Sequence, residues 1–492
     1  MVRHLPLRAA ARWATCCLAF FGPAHAAAQE SVARLTLPQA IERALERGHQ
    51  AAAAEATRDA AYYRGDAFYS RLLPRLSVAG TVPAYNRSII EVLQPDGSTL
   101  FRPQNQTSAA LTATLSQTIP VTGGDVFISS SLSRVSVSGT QDVVTWSSTP
   151  VTIGLRQPIL RPNAVAWNRK EQPVRKDLAS RQYLEAREDI TVETTRLFFD
   201  VYAARVALET ARSNAGVNDT LYTLNTGRFE IGSIGENDLL QSELALLRSR
   251  TSLDGARLAY ERALAALRIQ LNMPLDTPLE VVVPAAIPDF EPDSARAVVQ
   301  ALQNRSVVRD IDLQDLEADR RVAEAKLNNG IGGTLQASYG FNATAPEASG
   351  VYSNLLEAQR LTVSVEIPLI QWGAAREEVR AAEADRAQTE SRAQSMLEQT
   401  AHEARFAALE LSQAKRNLAL SATADTVAGK RFEVAYNRYV IGRISIDNLY
   451  IAQGEKDEAR TQYVRALRGY WEAYYRLRRV TLYNFEREEV IR

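Results

Sequence analysis

The chain has 492 residues, with 57 basic and 57 acidic side chains, only four histidines and two cysteines. A balanced charge offers no basic stripe for nucleic acid. Removing the first 28 residues costs three arginines and no acid, which leaves a net charge near −3 and no cysteine at all. Disulfides, thiolate metal sites and cysteine nucleophiles are therefore excluded from the remainder.

Residues 1–28 read as a signal peptide. Arg3, Arg8 and Arg12 form a basic start, Ala14 to Phe21 is apolar, and Ala24-His25-Ala26 is a small-x-small cleavage site. Cys16 and Cys17 follow Trp13-Ala14-Thr15, which is not a lipid-attachment context. Beyond this segment no run of 18 apolar residues occurs, so no inner-membrane helix is expected.

The first structural repeat, 29–273, opens near Leu37 with a helix. Ala40, Ile41, Ala44 and Leu45 share one face, and Glu42, Arg43, Glu46 and Arg47 the other. Leu73-Pro74-Arg75-Leu76 punctuates the change to strands, expected within 76–160. Leu76, Val78, Gly80 and Val82 alternate with small or polar residues, as do Leu111, Ala113 and Leu115. Pro120 to Asp125 is a turn, Val126 to Val137 alternates again, and Val151, Ile153 and Leu155 form a last run. Such two-residue periodicity fits a sheet between lipid and water, or a soluble sandwich.

From Ala164 to Glu230 the pattern is helical, with Pro173 and Gly216 the only breakers. Continuous helix over that length spans about 100 Å. A return helix follows from Asn237 to Leu271 with a broad apolar stripe, suited to packing on both sides as in a tube wall. A Pro-rich connector, 274–292, carries the strand-like Val281-Val282-Val283 and is expected to wrap the tube's waist.

The second repeat, 293–492, echoes the first. A helix opens at Ala297, Val298, Ala301 and Leu302. Strands are expected within 334–369, a long helix from Ala374 to Ile441, and a return helix from Asp447 to Phe485. The turns between the long helices repeat without a gap. Arg228-Phe229-Glu230-Ile231-Gly232-Ser233-Ile234-Gly235 aligns with Arg438-Tyr439-Val440-Ile441-Gly442-Arg443-Ile444-Ser445. Glycine takes left-handed turns cheaply, so tips at 232–235 and 442–445 mark two copies of one helical hairpin.

Helix, strands and a long helical hairpin with a Gly tip, all repeated, resemble the TolC-like outer-membrane efflux proteins. The residues that carry the resemblance are the duplicated tips, Leu73-Pro74-Arg75-Leu76, and the strand-to-helix exit Val365-Glu366-Ile367-Pro368-Leu369-Ile370-Gln371-Trp372-Gly373. It covers about Leu35 to Phe485.

It implies a mainly α protein with β: a homotrimer whose strands share one transmembrane β-barrel in outer-membrane lipid and whose helices form a periplasmic α-barrel. It implies a passive channel-tunnel for tripartite efflux or type I secretion, with a periplasmic adaptor (membrane fusion protein) and an inner-membrane pump as partners. It implies no cofactor and no metal. The tips, Gly232, Ser233, Ile234, Gly442, Arg443 and Ile444, would dock the adaptor. The first turns of the return helices would line a periplasmic gate. There Asn448 and Ile451 stand at the positions of the family's inward acidic pair, though neither is acidic, with Asp447 adjacent to the first, and Asp238 would hold the closed state against Tyr439 and Arg443.

The family pattern has two strands per half, whereas the first half here reads as more. Either it adds a hairpin to the barrel, or Val126 to Val137 folds elsewhere. A periplasmic coiled-coil scaffold without a barrel is the competing reading. A porin would be nearly all strand. An enzyme has little to work with: His49 and His402 lie in helical charge patterns, and no phosphate loop, nucleophile elbow or zinc spacing occurs.

Overall fold

The computed structural model describes residues 33–138, 142–284 and 286–492, so the signal peptide expected over 1–28, with Cys16 and Cys17, lies outside the described residues. The first repeat runs β1 (Ala33–Thr36), α1 (Leu37–Arg47), α2 (His49–Ser70), β2 (Arg75–Leu93), β3 (Thr99–Ile119), β4 (Gly124–Ser138), β5 (Val143–Ile159), α3 (Ala164–Glu230) and α4 (Glu236–Gln270). The connector contains β6 (Leu279–Val282). The second repeat runs α5 (Ser294–Asn304), α6 (Ser306–Asn328), β7 (Gly332–Ala345), β8 (Leu356–Glu366), α7 (Ala374–Val440) and α8 (Ile446–Thr481), then β9 (Tyr483–Asn484) and β10 (Glu489–Val490).

The long helices α3 and α7 each have 67 residues. Pro173 sits exposed near the start of α3 without ending it. The second return helix stops before Phe485, because Leu482 takes φ +47° and turns the chain into the small β9–β10 pair.

The core lies where the two repeats meet at mid-length. Phe198 and Phe199 of α3 pack with Tyr470, Trp471, Tyr474 and Tyr475 of α8 and with Ala404, Ala407 and Leu411 of α7. The connector packs across these helices. Its β6 pairs in parallel with β1, Arg205 donates to the Val281 carbonyl at 3.0 Å, and Lys415 meets Asp289 at 3.0 Å. Phe290 stacks on Phe485.

All other strands form one antiparallel sheet in the order β2-β3-β4-β5-β7-β8. The stretch Val126 to Val137 is therefore inside the sheet, and the first half contributes four strands to the second half's two. The registers sort most side chains by face, since directly paired residues share one, with Gln359 and Arg134 on the apolar side and Phe127 on the polar side among the exceptions. Leu76, Leu115, Ile128, Ile153, Tyr339 and Leu361 belong to an apolar face, and Ser77, Thr114, Ser129, Thr152, Ser338 and Thr362 to a polar one. Gly154 belongs to the polar face because the Phe127 ring lies across it; a Cβ there would come within 2.2 Å of that ring.

Candidate functional site: the helical tips

The sequence repeat at the tips is a repeat of hydrogen bonds. At the first tip the Gly232 N–H donates to Phe229 O (2.9 Å) and the Ser233 N–H to Arg228 O (2.8 Å). At the second, Gly442 N–H donates to Tyr439 O (2.9 Å) and Arg443 N–H to Arg438 O (2.8 Å). Both are Schellman caps. They need a left-handed residue, and the glycines supply it at φ +72° and +75°.

The chain then enters α4 after Gly235 and α8 after Ser445. The Asn448 amide donates to Ser445 Oγ at 3.0 Å. Glu236 and Asp238 in one first turn, and Asp447 in the other, suit the positive end of a helix.

The two hairpins are tied together by cross-repeat contacts. The Arg228 guanidinium donates to Val440 O at 2.8 Å and lies over the Tyr439 ring, 5.3 Å from its centre. It thus satisfies the last carbonyls of α7, which no intrahelical partner can reach. The Tyr439 hydroxyl, buried, donates to Asn225 Oδ1 of α3 at 2.7 Å. Gln241 donates to Asp447 Oδ1 at 2.6 Å. Beneath them Leu221, Tyr439, Ile446 and Leu449 form a small separate core, with Ile444 and Tyr450 partly buried against it. Burial pushes the Tyr450 hydroxyl up to about 12.

Two expectations change here. Tyr439 is buried in the latch, but its partners are Asn225 and Arg228 rather than Asp238. Asp238 is half-buried, and neither its carboxylate nor the Arg443 side chain has a partner among the described residues.

The apolar residues offered to solvent are not the expected ones either. Ile444 precedes the N-cap and packs toward Leu449, a hydrophobic staple that closes the helix start. Ile234 holds the equivalent position and is likewise half-buried. The exposed isoleucines are Ile231 (80%) and Ile441 (63%), one residue before each glycine. Gly232, Ser233, Gly442 and Arg443 share that exposed apex, while Asp447, Asn448 and Ile451 are exposed on α8.

Among the described residues no three His, Cys, Asp or Glu side chains group as a metal site requires, and no helix is long and apolar enough to cross a membrane.

Residues 123–272 match the sequence model of the outer membrane efflux protein family. The fold superposes on the outer membrane channel CmeC of Campylobacter jejuni with a TM-score of 0.66 at 15% identity, over 90% of this chain and 85% of that one. This is a TolC-like outer-membrane efflux fold. VceC of Vibrio cholerae gives a TM-score of 0.62 at 14% identity, over 90% of this chain and 95% of that one. The open state of MtrE of Neisseria gonorrhoeae gives 0.61 at 14%, over 90% and 88%. No curated protein sequence matches. The matched family and these solved structures are all of outer-membrane proteins. Channels, not enzymes, are what the fold has in common.

Proposed function

We propose that three copies of this chain form a passive channel-tunnel. It exports substrates that an inner-membrane pump delivers through a periplasmic adaptor. The single observation that carries this reading is the pairing of opposite ends. One end is a sheet with an apolar face and unpaired edges, and the other is a duplicated helical tip with an exposed isoleucine in each copy. Unpaired strand edges are not tolerated in lipid, so the sheet must be completed by other chains. A periplasmic scaffold would need neither feature.

The adaptor docks on the apex formed by Ile231-Gly232-Ser233 and Ile441-Gly442-Arg443. The exposed first turn of α8, with Asp447, Asn448 and Ile451, lines the periplasmic constriction. Opening moves the α7–α8 hairpin away from α3–α4, which breaks the Arg228–Val440 and Tyr439–Asn225 contacts. Asp238, without a side-chain partner among the described residues, meets a neighbouring copy in the closed state, so Asp238→Asn raises conductance in planar bilayers.

Negative-stain microscopy of the detergent-extracted protein tests the reading. A threefold particle with a tube of about 100 Å and a detergent belt at one end is expected. Soluble rods without a belt would replace it with the scaffold.

A further inference from the structure

The sheet of one chain is open at both edges. Both β2 over residues 75–89 and β8 are exposed on nearly every residue, unlike the strands between them. From the strand order, β2 and β8 run in opposite directions, so β8 of one copy can continue the antiparallel ladder into β2 of the next.

Resting on the trimeric channel reading, we propose that the barrel closes as eighteen strands, six from each copy, rather than the twelve that two strands per half would give. We further propose that β8 meets β2 of the next copy in one register, Glu366 opposite Arg75.

The register follows from the sheet's own geometry. Crossing the sheet at right angles from Arg75 leads to Ser116, Phe127, Gly154, Ser338 and finally Arg360. None of these pairs lies across a bulge. A closed barrel cannot return to the same level, because tilted strands must be staggered at the seam. An odd stagger would bring the polar face of one copy against the apolar face of the next. That leaves Arg75 opposite Arg360, Thr362, Ser364 or Glu366, staggers of zero, two, four or six residues, since β8 ends at Glu366.

With a rise of about 3.3 Å per residue and strands about 4.8 Å apart, a stagger of six over six strands tilts them roughly 35°. Staggers of two and four give roughly 13° and 25°. Six is the smallest stagger that reaches the 35–45° of membrane barrels; eight, at roughly 43°, would carry Arg75 past the end of β8 to Pro368, which has no N–H to donate. The same register sets Arg75 against Glu366, beside the Arg161 that already pairs with that acid in its own chain, and Leu76 against Val365. It also mates Val78 with Val363 and Gly80 with Leu361. The zero-stagger alternative would oppose two arginines.

The enlargement has a shape. Eighteen strands at that tilt enclose a ring roughly 34 Å across the backbone, against roughly 22 Å for twelve. The polar face of β3 and β4 is rich in hydroxyls, with Thr112, Thr114, Ser116, Ser129 and Ser131. The membrane end is a wide aqueous mouth, as in other barrels of this size, and constriction is left to the helical tips.

High-resolution cryo-electron microscopy of the full chain in nanodiscs counts the strands. Eighteen in a threefold ring is the expected result. A threefold ring of twelve, with two strands of the first half outside it, overturns this inference and leaves the channel standing. Open sheets with no ring would sink the channel reading itself.

The register has a separate test, because the sequence has no cysteine beyond Cys17. Val78→Cys with Val363→Cys, treated with a short thiol-bifunctional reagent in membranes, should give a covalent trimer as its largest product. Val78→Cys with Leu361→Cys should give at least tenfold less. The reverse ranking would refute the stagger of six.

Discussion

The two repeats agree at their tips and disagree at the membrane. Their Schellman caps match bond for bond, yet the side chains that latch them do not. Arg228 and Tyr439 bond across the repeats; their repeat mates, Arg438 and Phe229, are exposed and make no side-chain hydrogen bond among the described residues. At the other end the first repeat spends residues 75–159 on strands and the second only 332–366. Duplication kept the backbone turns, which depend on glycine at one φ. It left free the side chains that lock the hairpins and the number of strands in the wall.

If the added strands are true wall, they should be as intolerant of charge as the shared ones. Arginine near mid-membrane on a lipid face costs about 2–4 kcal/mol. Ile128→Arg in β4 and Val363→Arg in β8 are therefore expected to cut the yield of assembled protein to a similar and large extent, while Ser129→Arg on the polar face does not. Assembly is read from heat-modifiable mobility on gels. A harmless Ile128→Arg would restore equality between the repeats.

The tip asymmetry predicts the next largest effect. Tyr439→Phe leaves the buried Asn225 carbonyl oxygen without its donor, a loss of about 1–3 kcal/mol, and Arg228→Ala uncaps α7. Each should raise single-channel conductance, and Arg438→Ala should not. Equal effects of Arg228→Ala and Arg438→Ala would show that the latch is not the gate.

Replacing Ile231 or Ile441 with Asp should weaken capture of the adaptor about tenfold or more while leaving conductance unchanged. Burying one such side chain contributes about 1.5–3 kcal/mol. Ile234→Asp or Ile444→Asp should instead lower helix-tip stability, measured by hydrogen exchange.

A small effect belongs to the equatorial core. Burial raises the Glu188 carboxyl above its ordinary value, against the opposing pull of Arg478, whose guanidinium is 3.0 Å away. A carboxyl raised in the folded state holds its proton more tightly there than when unfolded. Stability should therefore fall as pH rises from the ordinary carboxyl value through the folded one. Glu188→Gln should flatten that slope in thermal melts.

Much of this was legible in the residues. Helices α3 and α7 end within a residue of the predicted bounds, because Gly232, Gly442 and Gly373 punctuate long polar patterns. Alternation revealed four strand runs in the first half. What it missed was length: β2 and β3 continue through 83–108, where Pro83, Pro95, Pro103 and mixed polar residues break the two-residue period. The bulge between Thr81 and Ala84 accommodates Pro83.

At the tips, Ile234 and Ile444 were natural choices for docking by type. A turn's sequence, however, does not say which of two isoleucines the following helix will claim as its staple. The Tyr439–Asn225 bond joins residues 214 positions apart, and no local pattern encodes it.

The central claim is that this sheet, completed by other copies, is a pore whose conductance is set at the distant tips. Planar-bilayer recording of the purified protein beside Arg228→Ala tests it most directly. Discrete, long-lived current steps that grow severalfold in the variant are predicted. Protein that inserts yet gives no steps, or steps that Arg228→Ala leaves unchanged, would contradict it.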